Sequence, residues 1–126
     1  MIYVLAWLAF VPLAIGNGVL REEVLRDALP ELAAHQVSTA MLAVVFGAWA
    51  GFVVRRRPPR SPLRVGLLWL LLTVAFEFGF GRAVAGKPWS VLLADYDLTA
   101  GRVWGLFLVW VVLAPVVTAE RPRAAD

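Results

Sequence analysis

"AMLAVVFGAWAGFVVRRRPPRSPLRVGLLWLLLTVAFEFGF", residues 40–80, sets two long apolar runs on either side of five arginines and three prolines. The prolines prevent one helix from running through the middle of this stretch. A dense cationic turn between two apolar segments is the pattern of a cytoplasmic loop joining two membrane spans. The rest of the chain agrees. Of 126 residues, 61% are hydrophobic and the mean hydropathy is +0.77, whereas soluble domains average roughly 45–50% apolar. A spanning helix takes about 20 mostly apolar residues, and four such segments fit, at about 2–18, 31–54, 65–84 and 98–118. The expected fold is all-α: an integral membrane four-helix bundle, one membrane domain over residues 1–126, with short interfacial amphipathic helices between spans 1 and 2 and between spans 3 and 4.

Outward from the arginine turn, the boundaries are set by local chemistry. The first run, "IYVLAWLAFVPLAIG" (2–16), has no Lys or Arg before it and no clear small-residue cleavage site after it. It therefore reads as a span rather than a signal peptide. It is expected to end or bend at Gly16-Asn17-Gly18, three poor helix formers. "VLREEVLRDALPELAAHQ" (19–36) places Leu20, Val24 and Leu25 at helical spacing opposite Arg21, Glu22, Glu23, Arg26 and Asp27, the pattern of a helix lying at a membrane surface. Pro30 and Glu31 suit the opening turn of the second span. Beyond residue 84, Pro88 and Trp89 suit the start of another interfacial helix, and Asp97 suits the N-cap of the fourth span. Gly47 and Gly51 form one small-xxx-small pair and Gly101 and Gly105 another. Such pairs let helices approach closely, here more for packing within the chain than for dimerisation. Trp89 and Trp104 suit an outer aromatic belt.

Composition excludes several kinds of chemistry. With no cysteine, thiolate nucleophiles, disulfides, iron–sulfur clusters and Cys-type zinc sites are ruled out. The single histidine, His35, excludes bis-His haem within one chain. No cofactor and no metal are expected. The net charge of +3 does not imply nucleic-acid binding, because the basic residues concentrate in the arginine turn. That turn also orients the chain. Placing it in the cytoplasm puts both termini there and gives Arg55, Arg56, Arg57, Arg60, Arg64, Arg121 and Arg123 inside against Arg21, Arg26, Arg82, Lys87 and Arg102 outside. A bacterial inner membrane is the expected location.

Polar residues gather at the opposite, extracytoplasmic end. Glu77 is the unusual one, a carboxylate inside an apolar run, where a lone charge costs on the order of 3 kcal/mol. Arg82, five residues on, is turned by about 140° and is a poor partner. Arg102 is the expected cross-bundle partner and Arg21 the next, since a guanidinium holds a carboxylate with two parallel hydrogen bonds. The candidate binding cluster is Glu77, Arg102, Arg21, His35 and Arg82, with Asn17, Asp95 and Asp97 around it. A structural ion pair that fixes helix register is the competing account of Glu77. Ser38 and Thr39 share a helix face with His35, but acyl-transfer chemistry also needs an orienting carboxylate and an oxyanion hole. Backbone-bonded hydroxyls are the simpler reading. Asp95 and Asp97 in "DYD" fit helix capping better than a metal site.

The leading functional expectation is non-enzymatic: binding or passage of a small polar solute or ion through this cluster. The alternatives are a small membrane enzyme acting on lipid head groups or lipid-linked substrates, and an accessory subunit of a larger membrane complex. Expected partners are the lipid bilayer, the solute, and a second copy or larger complex.

Overall fold

In a computed structural model, residues 1–83, 86–94, 96 and 101–119 are described. Among them the secondary structure is all helix, with no strand. Helix α1 (Ile2–Leu20) runs through a π-helical turn (Arg21–Leu25) into the short α2 (Arg26–Ala28). Then follow α3 (Glu31–Arg56), α4 (Pro62–Ala83), α5 (Trp89–Ala94) and α6 (Trp104–Ala119). Three stretches, Ile2–Ala28, Glu31–Arg56 and Pro62–Ala83, are long and apolar enough to cross a membrane. The fourth apolar helix, α6, has 16 described residues, roughly 24 Å of helix.

Two boundaries differ from the sequence expectation. The first helix does not stop at Gly16-Asn17-Gly18. It continues to Ala28 and yields only at Leu29, whose φ and ψ of −132° and 150° are extended, as the residue before a proline favours. The helix passes the weak formers because Asn17 Nδ2 donates to the Ser38 carbonyl on α3 at 3.0 Å, so a neighbouring helix satisfies its amide. The amphipathic segment after span 1 is thus an extension of α1 rather than a separate surface helix. The other difference lies before α6. Gly101 takes a φ of +81°, a conformation open to glycine at little cost, and the described helix begins only at Trp104. Asp97, the expected cap, lies outside the described residues.

Helix α6 packs against both α3 and α4, and α1 touches the same two helices. Phe46 is the hub of the core. It meets Phe10 of α1, Trp69 of α4 and Phe107 of α6 edge-on, with ring centroids 5.1, 5.6 and 5.9 Å away, an arrangement aromatic quadrupoles favour. Tryptophan N–H groups then tie the helices together. Trp49 donates to the Ala6 carbonyl, Trp69 to the Tyr3 carbonyl, and Trp110 to the Ala43 carbonyl, at 3.0, 2.8 and 2.9 Å. In apolar surroundings an indole N–H without an acceptor would carry a desolvation cost.

The two glycine pairs have different roles. A Cβ at Gly47 would stand 2.8 Å from the Trp110 ring and one at Gly51 would stand 3.4 Å from Thr118, so the first pair seats α6 on α3. The second is not a packing pair, because Gly101 serves the turn and a Cβ at Gly105 would meet nothing within 4 Å. The tightest approach is at Gly66, where α4 lies against the Val112 carbonyl of α6. The ends are sorted by charge. The arginine turn sits beside the start of α1, tied to it by Tyr3 Oη, which donates to the Arg57 carbonyl at 2.7 Å. Arg21, Glu31 and Arg82 lie toward the opposite end of their helices, with Arg102 in the turn before α6.

Candidate functional site

A cavity of about 260 Å³ lies among α1, α3, α4 and α6. Its floor is apolar, formed by Phe10, Leu42, Phe46 and Val111. Asn17, Arg21, His35, Glu77 and Lys87 bring polar groups to the same space. Four residues of the expected cluster therefore converge here: Glu77, Arg21, His35 and Asn17. Each arrives from a helix position that sequence spacing alone could not align, Asn17 and Arg21 from α1 and the π-turn, His35 from α3, and Glu77 from α4.

Glu77 is held differently from the expectation. Trp104 Nε1 donates to Glu77 Oε2 at 2.7 Å, and Tyr96 Oη donates to the same oxygen at 2.9 Å. Neutral donors on the α6 side thus grip the carboxylate. Trp104, expected in an outer aromatic belt, is turned inward, with its ring stacked on Phe107 at 4.8 Å. Trp89 is 55% exposed, as an outer position requires.

Arg102 forks onto Glu31 instead, Nη1 to Oε1 at 2.8 Å and Nη2 to Oε2 at 2.7 Å. The expected Glu77–Arg102 pair is replaced by these two arrangements among the described residues. The cause is the late start of α6. Arg102 stands in the turn before the helix, level with Glu31, the first residue of α3, and its guanidinium is turned onto that carboxylate. The Gln36 amide supports the turn by donating to the Gly101 carbonyl at 2.9 Å. The Arg102–Glu31 pair is a partly exposed clamp between α3 and the entry to α6, with side-chain exposures of 23% and 47%.

Arg82 does not line the cavity. Its guanidinium lies over the Trp89 ring, 5.3 Å from the centroid, and donates to the Lys87 carbonyl at 3.3 Å. It anchors the turn that carries Lys87, whose own amide donates to the Gly81 carbonyl at 2.7 Å. Asp95 and Asp97 lie outside the described residues. His35 is 6% exposed. The Ser38 and Thr39 hydroxyls both donate to the His35 carbonyl, at 3.1 and 2.7 Å. Their protons are committed to the helix backbone, as the simpler sequence reading had it, and Ser38 is not aligned as a nucleophile on the imidazole.

Sequence reasoning missed Trp104, Tyr96, Lys87 and Thr73 as site residues. Thr73 lines the cavity and accepts from Trp7 Nε1 at 3.0 Å. A polar residue in the same apolar run as Glu77, four positions before it, was the available signal for Thr73. No signal short of the fold could have turned Trp104 inward. Comparison of the chain with protein-family models, with curated proteins and with solved structures gives no match.

Proposed function

We propose that the chain is an integral membrane four-helix bundle that binds a small solute in the cavity between α1, α3, α4 and α6, without chemical conversion of it. One observation carries this reading: a chain so poor in polar residues gathers Asn17, Arg21, His35, Glu77 and Lys87 around one space. Polar side chains inside apolar spans are costly and mark solute or ion pathways. A concave, mostly apolar site with a few convergent polar groups is the usual form of a small-molecule site. Glu77 is one of these polar groups, and Trp104 and Tyr96 set its orientation.

The membrane assignment rests on the three long apolar helices, with α6 as a fourth, shorter span. The orientation rests on the arginine turn, which belongs in the cytoplasm by the positive-inside rule. The cavity's polar mouth then faces the extracytoplasmic side. Single cysteines at Ser61 and Ser90 test this in intact cells with a membrane-impermeant thiol reagent. Position 90 is labelled and position 61 is protected. The reverse pattern inverts the orientation, and equal labelling means that both orientations coexist.

The binding reading is tested by a thermal-shift screen of small polar and amphiphilic compounds on the protein in nanodiscs. A ligand present at 100 times its Kd adds about 2.7 kcal/mol. Compounds that stabilise the wild type lose that effect in Ala14→Phe, which fills the cavity. If every stabilising compound acts equally on Ala14→Phe, the cavity is not a binding site.

A further inference from the structure

We infer that the cavity opens sideways toward lipid between α1 and α4 and takes a single-chain anionic amphiphile, its charged head at Arg21 and Lys87 and its chain among the core aromatics. This deepens the binding reading above and rests on it.

The opening follows from where α1 and α4 are joined. Trp69 of α4 donates to the Tyr3 carbonyl, Trp7 of α1 donates to Thr73, and Trp7 meets Phe76 edge-on at 6.0 Å. The first tie lies on the arginine-turn side of the cavity, and the other two are on its wall at Trp7, Thr73 and Phe76. Past Phe76, no hydrogen bond or ring contact joins α1 to α4 among the described residues, and the cavity stands between them. Ile15 and Phe80 line it from the two sides while remaining 49% and 46% exposed. A wall that is at once cavity lining and outward-facing apolar surface is a window, and in a bilayer that window faces acyl chains.

Charge decides the head group. Arg21 and Lys87 both line the mouth. Lys87 has no ion pair among the described residues. Among the described residues Arg21 pairs with its sequence neighbour Glu22, at 3.3 Å, and its Nη2 lies 3.9 Å from where a Cβ on cavity-lining Gly18 would be. Glu77, the one acid on the lining among the described residues, is drawn to the α6 side by Trp104 and Tyr96. The floor beyond the mouth, at Phe10, Leu42, Phe46 and Val111, is apolar. Phe10 and Arg21 are separated along α1 by roughly 16 Å of helix rise, so a head at the mouth sends an alkyl chain to the aromatic floor. An anionic head there gains charge-assisted hydrogen bonds, and a cationic head meets two like charges.

The test uses two photoprobes with the same diazirine-bearing alkyl chain, one ending in phosphate and one in trimethylammonium, added to the protein in phosphatidylcholine nanodiscs. Crosslinked residues are then mapped by mass spectrometry. The phosphate probe labels the buried cavity residues Leu42, Phe46 or Phe107 at least tenfold more than the ammonium probe does. That labelling is lost in Ala14→Phe, or in Ala14→Leu if the larger side chain prevents folding. In the double variant Arg21→Gln, Lys87→Gln the preference between the heads disappears. Equal or stronger labelling of the buried residues by the ammonium probe overturns the anionic assignment and leaves the binding cavity standing. Labelling by both probes only at outward residues such as Val44, Leu71 and Leu106 shows surface lipid alone and overturns the window.

Discussion

Gly66→Ala, a change of one methyl group, lowers the thermal stability of the protein more than Gly47→Ala, Gly51→Ala or Gly105→Ala does. A Cβ at position 66 would fall on the carbonyl oxygen of Val112 and within 2.9 Å of its Cα and carbonyl carbon. These are backbone atoms of a helix and cannot swing aside as the end of a side chain can. To admit the methyl group, α4 and α6 must separate, and the surrounding contacts of Trp69 and Val111, both almost fully buried, separate with them. Overpacking a tight interior costs typically about 1–3 kcal/mol, occasionally more, and backbone opposition places this site at the upper end. Gly105→Ala is the internal control. It sits in α6 with nothing within 4 Å of the new Cβ, and removing a helical glycine gains up to about 1 kcal/mol of helix propensity. Melts in nanodiscs separate the two. If Gly66→Ala melts with the wild type, α4 and α6 do not approach at this point.

That contact also shows where the sequence was legible and where it was not. The apolar runs, the proline-rich arginine turn and the Leu29–Pro30 break are local signals, written in hydropathy and in backbone restriction, and the helices follow them closely. Gly47 and Gly51 were readable as a packing pair for the same reason, since small residues four apart share a helix face. Gly66 has no partner at that spacing, and its role depends on where α6 lies beside it. Gly101 and Gly105 show the converse. They carry the right spacing, but a positive φ at Gly101 ends the helical register before the pair can act. Glu77 was recognised as the unusual residue because its cost in an apolar run is a property of the run alone. Its partner was misassigned because partner choice depends on helix phase and on where a neighbouring helix begins. A shift of a few residues in the start of α6 moved Arg102 to Glu31 and brought Trp104 to Glu77.

Trp104→Phe therefore costs stability out of proportion to one lost N–H, and the excess vanishes when Glu77 is also changed. The indole N–H donates to Glu77 Oε2 at 2.7 Å in a partly buried setting. A hydrogen bond to a charged group contributes about 1.5–3 kcal/mol. Phenylalanine keeps most of the ring that stacks on Phe107, so the loss reports mainly on the missing donor. In a Glu77→Leu background no carboxylate waits for that donor, and the same Trp104→Phe change costs only what its packing costs. A double-mutant cycle in nanodiscs then gives a coupling of about 1.5–3 kcal/mol. The corresponding cycle between Glu77 and Arg102 gives none, because the guanidinium is occupied by Glu31. The two cycles discriminate directly. Additive melts for Trp104 and Glu77, with coupling between Glu77 and Arg102, would restore an arginine pair as the answer to the partly buried carboxylate. Coupling to Trp104 and not to Arg102 shows that the indole N–H, rather than that guanidinium, sets where the Glu77 carboxylate sits on the cavity lining.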